Sequence, residues 1–292
     1  MSIVNNSLYC IPIYNPYYSL PFPSQAEINE LIDNLLNSLK EGTQKGVYHF
    51  DQMIYPLCEY LKSHPEKTDL VRQLVEEKKI YFGPFFIQLH SGHISGELLI
   101  RNLLIGHQEG DKIGDILKYF HLPAMRGRNS QTPQILAGFN IDAVLIDYDI
   151  KLMDKNTTEF IWEGLDGTQL LVSRVVFLNP NRLNLAKSKI QETFREYFSH
   201  NPNRVLVYLF NDKKSWETMP TYIEKLASIF SSDLKIESLA DCIWEIKEQI
   251  DSREISEYKG EMCLEKTEDC TETQFDYYLR HSVLIGLSNH RL

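Results

Sequence analysis

His90 and His93, three residues apart in the stretch LHSGH, are of a type and spacing that could hold a metal ion. Imidazole nitrogens are good zinc ligands, but two donors need a third converging on them. Without it, the pair reads rather as loop residues at the rim of a cleft. The five cysteines (Cys10, Cys58, Cys242, Cys263, Cys270) are scattered and form no CxxC pair, so they suggest neither a disulfide framework nor a zinc knuckle. Reduced thiols are the expectation. Asp212, in FNDKKSW, stands ahead of a helical pattern, where capping is an ordinary role for aspartate.

The elements that must position these residues alternate between strand and helix. Residues 8–13 form a short apolar run ended by proline and aromatic residues, which predicts a buried strand feeding a loop. Ser24 and Glu27 have capping-box spacing, and Ile28, Leu31, Ile32, Leu35, Leu36 and Leu39 repeat at helical intervals until Gly42. Strands are predicted at 47–50, 80–82, 143–146 and 234–236, and helices at 53–61, 69–77, from Ser95 to Gly106 or Gly110, from Pro133, and at 216–229. The continuous apolar run 205–210 fits a strand covered on both faces. One break occurs: 160–162 and 170–174, joined across Asp166 and Gly167, predict an antiparallel hairpin. Repeated β-then-α units mean a parallel sheet, closed or open, with ligands bound at the carboxyl ends of its strands. The loops after Ile13, Phe86, Leu122 and Phe210 are therefore the ones to inspect.

A net charge of −10, with no Lys or Arg run longer than a pair, argues against a nucleic-acid partner. No window approaches the ~18 apolar residues of a membrane span, and the first residues lack the basic start of a leader. A cytoplasmic protein without membrane attachment is the expectation. Composition is ordinary for a globular α/β domain until about Ser252, beyond which the chain is charged and poorly periodic, with a helix expected over 273–292.

Four stretches, in order, resemble the N-terminal domain of glycoside hydrolase family 38, the α-mannosidases. SGELLIRNLLIGH (95–107) is similar to the family's SGExLIRNLLxGH helix, and PAMRGRNSQTPQIL (123–136) keeps the spacing of PDxFGxxxQxPQIL. FIWEGLDGTQLLV (160–172) resembles the FxWxGxDGSxVL hairpin, and ELIDNLL (30–36) the first helix of the barrel. The resemblance implies a (β/α)₇ barrel-like parallel sheet surrounded by helices, with an inserted β-hairpin. The resemblance runs from about Leu8 to Glu272, and the barrel domain expected from it spans 1–255, leaving 256–292 as a C-terminal remnant segment, partly helical.

In the family one zinc ion grips two sugar hydroxyls, one Asp attacks the anomeric carbon and a second serves as acid and base. The resemblance puts Ile13 and Asn15 at two zinc-ligand positions, where the family has the second His and the Asp of HxHWD. It puts Ala124 at the nucleophile, which also ligates zinc, and about Thr271 at the remaining ligand. Asp212 falls near the acid/base position, as a remnant or a helix cap. Asp51 keeps a strand-end Asp position with Gln52 in place of the following glycine, and His90 and His93 lie where the family has a loop beside the sugar. No zinc cofactor is therefore expected.

The leading expectation is a pseudoenzyme, with the fold kept and hydrolysis lost. Tyr14, Asn15 and His90 are its expected sugar contacts, and Tyr14, Tyr17, Tyr18, Phe85 and Phe86 could stack on carbohydrate or serve as core. A second expectation is an interaction or regulatory subunit with no sugar ligand, bound to a protein partner or to a second copy of itself. A third is a glycosidase with weak or altered α-mannoside hydrolysis, using Asp212 or Glu97 with His90.

Overall fold

A computed structural model describes residues 7–14, 24–42, 47–50, 52–87, 95–122, 129–147, 157–178, 187–200, 204–211, 219–230, 234–250 and 255–262. Its centre is β1 (Ser7–Tyr14), the predicted first strand. Along one edge β1 runs parallel to β7 (Arg204–Asn211) for its whole length, from Ser7 opposite Arg204 to Tyr14 opposite Asn211. The other edge is shared. β8 (Leu234–Ile236) pairs with residues 8–10, and β2 (Tyr48–His49) meets β1 at Ile13.

β3 (Ile80–Tyr81) extends the parallel arrangement beyond β2, and β6 (Gln169–Leu178) beyond β7. β6 also pairs in parallel with β4 (Ala143–Asp147) and antiparallel with β5 (Glu159–Glu163), the predicted hairpin. β9 (Ser256–Lys259) adds to β5. The result is a mixed α/β fold whose nine described strands are mostly parallel.

Period-two alternation decides which helices cover which face. Cys10 of β1, Val144 and Ile146 of β4, and Leu170 and Val172 of β6 enter two apolar clusters shared with α1 (Gln25–Glu41), α2 (Tyr55–Ser63), α3 (Thr68–Glu76), α4 (Gly96–Gly110) and α5 (Thr132–Ala137). α6 (Lys187–His200) and α7 (Met219–Phe230) join the first of them. The intervening residues, Tyr9, Ile11, Ala143, Leu145, Leu171 and Val175, pack on Leu239, Cys242, Ile243 and Ile246 of α8 (Leu239–Ile250). Burying a side chain of this size stabilises by roughly 1.5–3 kcal/mol, so α8 is a major support of that face.

The two best-defined helices begin as the sequence predicts. At α1, Ser24 Oγ accepts the Glu27 N–H (3.3 Å) while the Glu27 carboxylate accepts the Ser24 N–H (2.7 Å), and Gly42 closes the helix at φ 69°. At α4, Ser95 Oγ accepts the Leu98 N–H at 3.2 Å. α6, α8 and β9 have no counterpart among the predicted elements. The helix predicted at 216–229 is described from Met219; its residues 216–218 lie outside the described residues, as does the helix expected over 273–292.

Candidate active site

Four strand ends are level at one edge of the sheet. Ile13 of β1 stands opposite Phe210 of β7 on one side and His49 of β2 on the other, and His49 is opposite Tyr81 of β3. These are carboxyl ends of parallel strands, where ligands bind in such folds. Tyr14, the last residue of β1, pairs with Asn211, the last of β7. Asn15 and Asp212 each follow next in the sequence. They lie outside the described residues, as do His90, His93, Asp51, Tyr17, Tyr18, Ala124 and Thr271.

The anchors of two of these loops are described. Before His90, Asn102 of α4 holds Ile87: its Oδ1 accepts the Ile87 N–H (3.0 Å), its Nδ2 donates to the Ile87 carbonyl (2.7 Å), and the Asn102 carbonyl accepts the Phe86 N–H (3.2 Å). Gly106, one turn on, lets α4 approach that segment, since a Cβ there would sit 2.3 Å from the Pro84 carbonyl oxygen and 2.5 Å from the Phe86 nitrogen. Before Ala124, the Leu122 N–H donates to Leu145 O (2.7 Å). The family-like SGELLIRNLLIGH helix thus works as a clamp on residues 84–87, which precede the histidine pair in the sequence.

Sequence reasoning missed His49. It is fully buried, its ring stacked on Tyr81 (centroids 5.1 Å apart). Nδ1 donates to Pro12 O at 3.2 Å and Nε2 accepts the Leu239 N–H at 3.2 Å, which fixes the neutral tautomer. Burial pushes its pKa down to about 4, against the smaller opposing effects of the Pro12 bond and of Asp241. Both ring nitrogens are committed to backbone, so this imidazole pins β1, β2 and the start of α8 together. The only signal for it in the sequence is a histidine inside a short apolar strand.

Phe85 is buried (5 %) and meets Phe120 edge-on, and Phe86 packs edge-on against Tyr55, so both belong to the core beneath the edge. Glu97 is exposed on α4 and pairs with Arg101 at 2.6 Å, a surface arrangement directed along the helix rather than into a site. Gln52, after the end of β2, is buried (2 %), and its Nε2 has no hydrogen-bond partner among the described residues. Among the described residues, no three His, Cys, Asp or Glu side chains are grouped to hold a metal ion. No helix among them is long and apolar enough to cross a membrane.

The model of the glycosyl hydrolases family 38 N-terminal domain matches residues 14–261. The chain belongs to this family. It is 24 % identical over 262 residues to a protein named "Putative mannosylglycerate hydrolase" from Halalkalibacterium halodurans, covering 82 % of this chain and 29 % of that protein. In fold it is similar to an α-mannosidase from Enterococcus faecalis V583, with a TM-score of 0.71 and 21 % identity over 88 % of this chain and 31 % of that one. A second family 38 protein from Enterococcus faecalis gives a TM-score of 0.65 at 23 % identity, over 88 % of this chain and 29 % of that one. The chain spans under a third of the length of these relatives. The match begins at Tyr14, the last residue of β1, and runs through β9, so the ends of β2, β3 and β7, the clamp and the hairpin lie within it, and Ile13 immediately precedes it.

Proposed function

We propose that this chain is a carbohydrate-binding domain on the α-mannosidase plan in which hydrolysis has been lost. The observation that carries this reading is Ile13 at the carboxyl end of β1, level with His49 and Phe210. The residue at this position is an isoleucine where the family pattern has a zinc-binding histidine, and the neighbouring His49 has no free nitrogen to replace it. The other matched positions, Asn15, Ala124 and about Thr271, supply a neutral amide, a methyl group and a hydroxyl. That set does not fit a zinc ion, which takes thiolate, imidazole or carboxylate donors. A methyl group at the nucleophile position also has no lone pair with which to form a glycosyl ester.

The ring of strands is, in this reading, a closed seven-membered barrel spanning 1–255, with 256–292 a tail segment. Closure is supported by the Leu117 N–H donating to Phe82 O (3.0 Å), the Leu145 N–H to Phe120 O (2.9 Å) and the Leu122 N–H to Leu145 O, which link β3 to β4 through residues 117–122. The sugar would sit at the carboxyl edge against Tyr14, Asn15 and His90. Calorimetric titration with mannose and short α-mannosides tests the reading: heat with millimolar dissociation constants or tighter is expected, with no release of nitrophenol from an aryl α-mannoside with or without zinc. Absence of heat would remove the sugar-binding claim, and zinc-dependent turnover would remove the loss of hydrolysis.

A second reading, an interaction subunit, is favoured by Trp244 of α8, which is 62 % exposed on a helix whose other face is core. Light scattering showing a monomer whose Trp244 fluorescence is unchanged at high concentration would count against self-association through it.

A further inference from the structure

At the other end of α4 from its Ser95 cap, two titratable side chains are joined in a way that neither the fold nor sugar binding explains. His107 lies ~16 Å along the helix axis from Gly96, at 1.5 Å per residue. Its Nδ1–H donates to Leu103 O at 2.7 Å, which leaves Nε2 as an acceptor, and Nε2 is in hydrogen-bond contact with Lys118 Nζ. The Lys118 Nζ also donates to Phe139 O at 3.2 Å, and the Phe139 ring lies against His107 with centroids 5.1 Å apart. Lys118 is half-buried, and its two described partners are both neutral acceptors. Asp111, at the end of α4, is the one charge felt by both groups, and it makes no ion pair with Lys118 among the described residues.

This is the arrangement of an activated nucleophile: an amine, a base within hydrogen-bond reach of it, and a third group that orients the base. Burial lowers the pKa of the Lys118 ammonium, and burial with the Lys118 charge lowers that of His107 despite the Leu103 bond. A lysine serving only as a structural tie would gain most from a carboxylate partner. Here the amine faces a neutral imidazole whose accepting nitrogen points at it.

We propose that Lys118 is a reactive amine, assisted by His107, that takes an acyl group from small activated acyl donors such as aryl esters and acyl phosphates. The ammonium first loses a proton to solvent. The nitrogen lone pair then forms the bond to the acyl carbon, and the bond from that carbon to the aryl or phosphate oxygen breaks, its electron pair leaving with the oxygen. The surplus proton on nitrogen passes to His107 Nε2 and from there to water. The product is a neutral amide at Lys118, with its positive charge removed.

Acetylation of the whole chain by p-nitrophenyl acetate, followed at each lysine by peptide mass spectrometry, tests this. Lys118 is expected to react ~10-fold or more faster than exposed Lys40 at pH 7.5, a modest figure beside the ~100-fold at the low end for a positioned base. His107→Asn should bring Lys118 down to the Lys40 rate or below, with circular dichroism confirming that the variant folds. In the unaltered chain, the rate at Lys118 should also level off at a lower pH than the rate at Lys40, a readout that needs no variant. Equal rates at Lys118 and Lys40, coincident pH profiles, or a folded His107→Asn variant with an unchanged Lys118 rate would each overturn the proposal.

Discussion

The Asn102 side chain satisfies both backbone polar groups of Ile87, accepting the N–H and donating to the carbonyl across a 15-residue separation. It is an extended chain's own hydrogen-bonding pattern, supplied by a helix. The segment leading into the His90 loop therefore needs no strand partner at that point, because α4 stands in for one.

Asn102→Leu keeps the number of side-chain heavy atoms and removes both bonds, leaving a buried N–H and a buried carbonyl unpaired. Each such group costs about 1–3 kcal/mol, so a loss of about 3 kcal/mol is expected in urea denaturation. Asn102→Asp retains the acceptor but loses the donor and buries a charge, and should be no better. A loss below ~1 kcal/mol for Asn102→Leu would mean that the clamp is not holding this segment.

The next residue contact along α4 gives a second prediction. Gly106→Ala should gain up to ~1 kcal/mol in helix propensity, yet its Cβ would meet backbone atoms of 84–86 at 2.3–2.6 Å. Backbone cannot swing aside as a flexible side chain can, so the clash should win and the variant should lose about 1–3 kcal/mol or more. Gly96→Ala, with nothing within 4 Å of its added Cβ, is the matched control and should be neutral or slightly stabilising. Equal midpoints for the two variants would refute the close packing of α4 on this segment.

These contacts show what the sequence could and could not disclose. The capping box at Ser24 and Glu27, the apolar stripe of α1 and the Asp166–Gly167 hairpin depend on neighbours a few residues apart, and their patterns are visible in one dimension. α6 has Ile190, Phe194, Tyr197 and Phe198 at helical spacing, so its pattern too is visible in the sequence, although no helix is predicted there. α8 has the periodicity, but covers a sheet face assembled from β1, β4 and β6, and no local pattern marks that face as needing a cover. His49 is a product of contacts to Pro12 and Leu239, 37 and 190 residues away. At the candidate site, family motifs gave the positions, and the strand register shows only that Ile13, His49, Phe210 and Tyr81 share one edge.

His49 makes stability depend on pH with a definite sign. Its folded pKa is about 4 against an ordinary 6.5, so between those values the unfolded chain binds a proton that the folded chain refuses. Stability is fully present above about pH 6.5 and is lost as pH falls toward 4, by on the order of 3 kcal/mol in all. Asp241, and the stacked Tyr81 ring, face the imidazole and do not reverse the direction. Denaturation at several pH values between 7.5 and 4.5 should show this slope in the natural chain and a shallower one in His49→Gln. Parallel slopes in the two proteins would mean that His49 is not buried as a neutral group.

Restoring the nucleophile alone should not restore hydrolysis. On the proposed reading, Ala124→Asp supplies a carboxylate at the attacking position, but Ile13 and Asn15 would still leave the metal without the imidazole and carboxylate that the family pattern places there. Groups acting as one catalytic unit are not additive: removing one costs nearly as much as removing all, on the order of 10⁴-fold or more, and returning one to a site that lacks the others recovers little. With an aryl α-mannoside and added zinc, Ala124→Asp is therefore expected to stay at the natural chain's background rate. Adding Ile13→His and Asn15→Asp should first appear as zinc retained through gel filtration, before any turnover. A single Ala124→Asp variant that releases nitrophenol well above background would show that another donor set already serves the site, and the reading of Ile13 as a lost ligand would have to be given up.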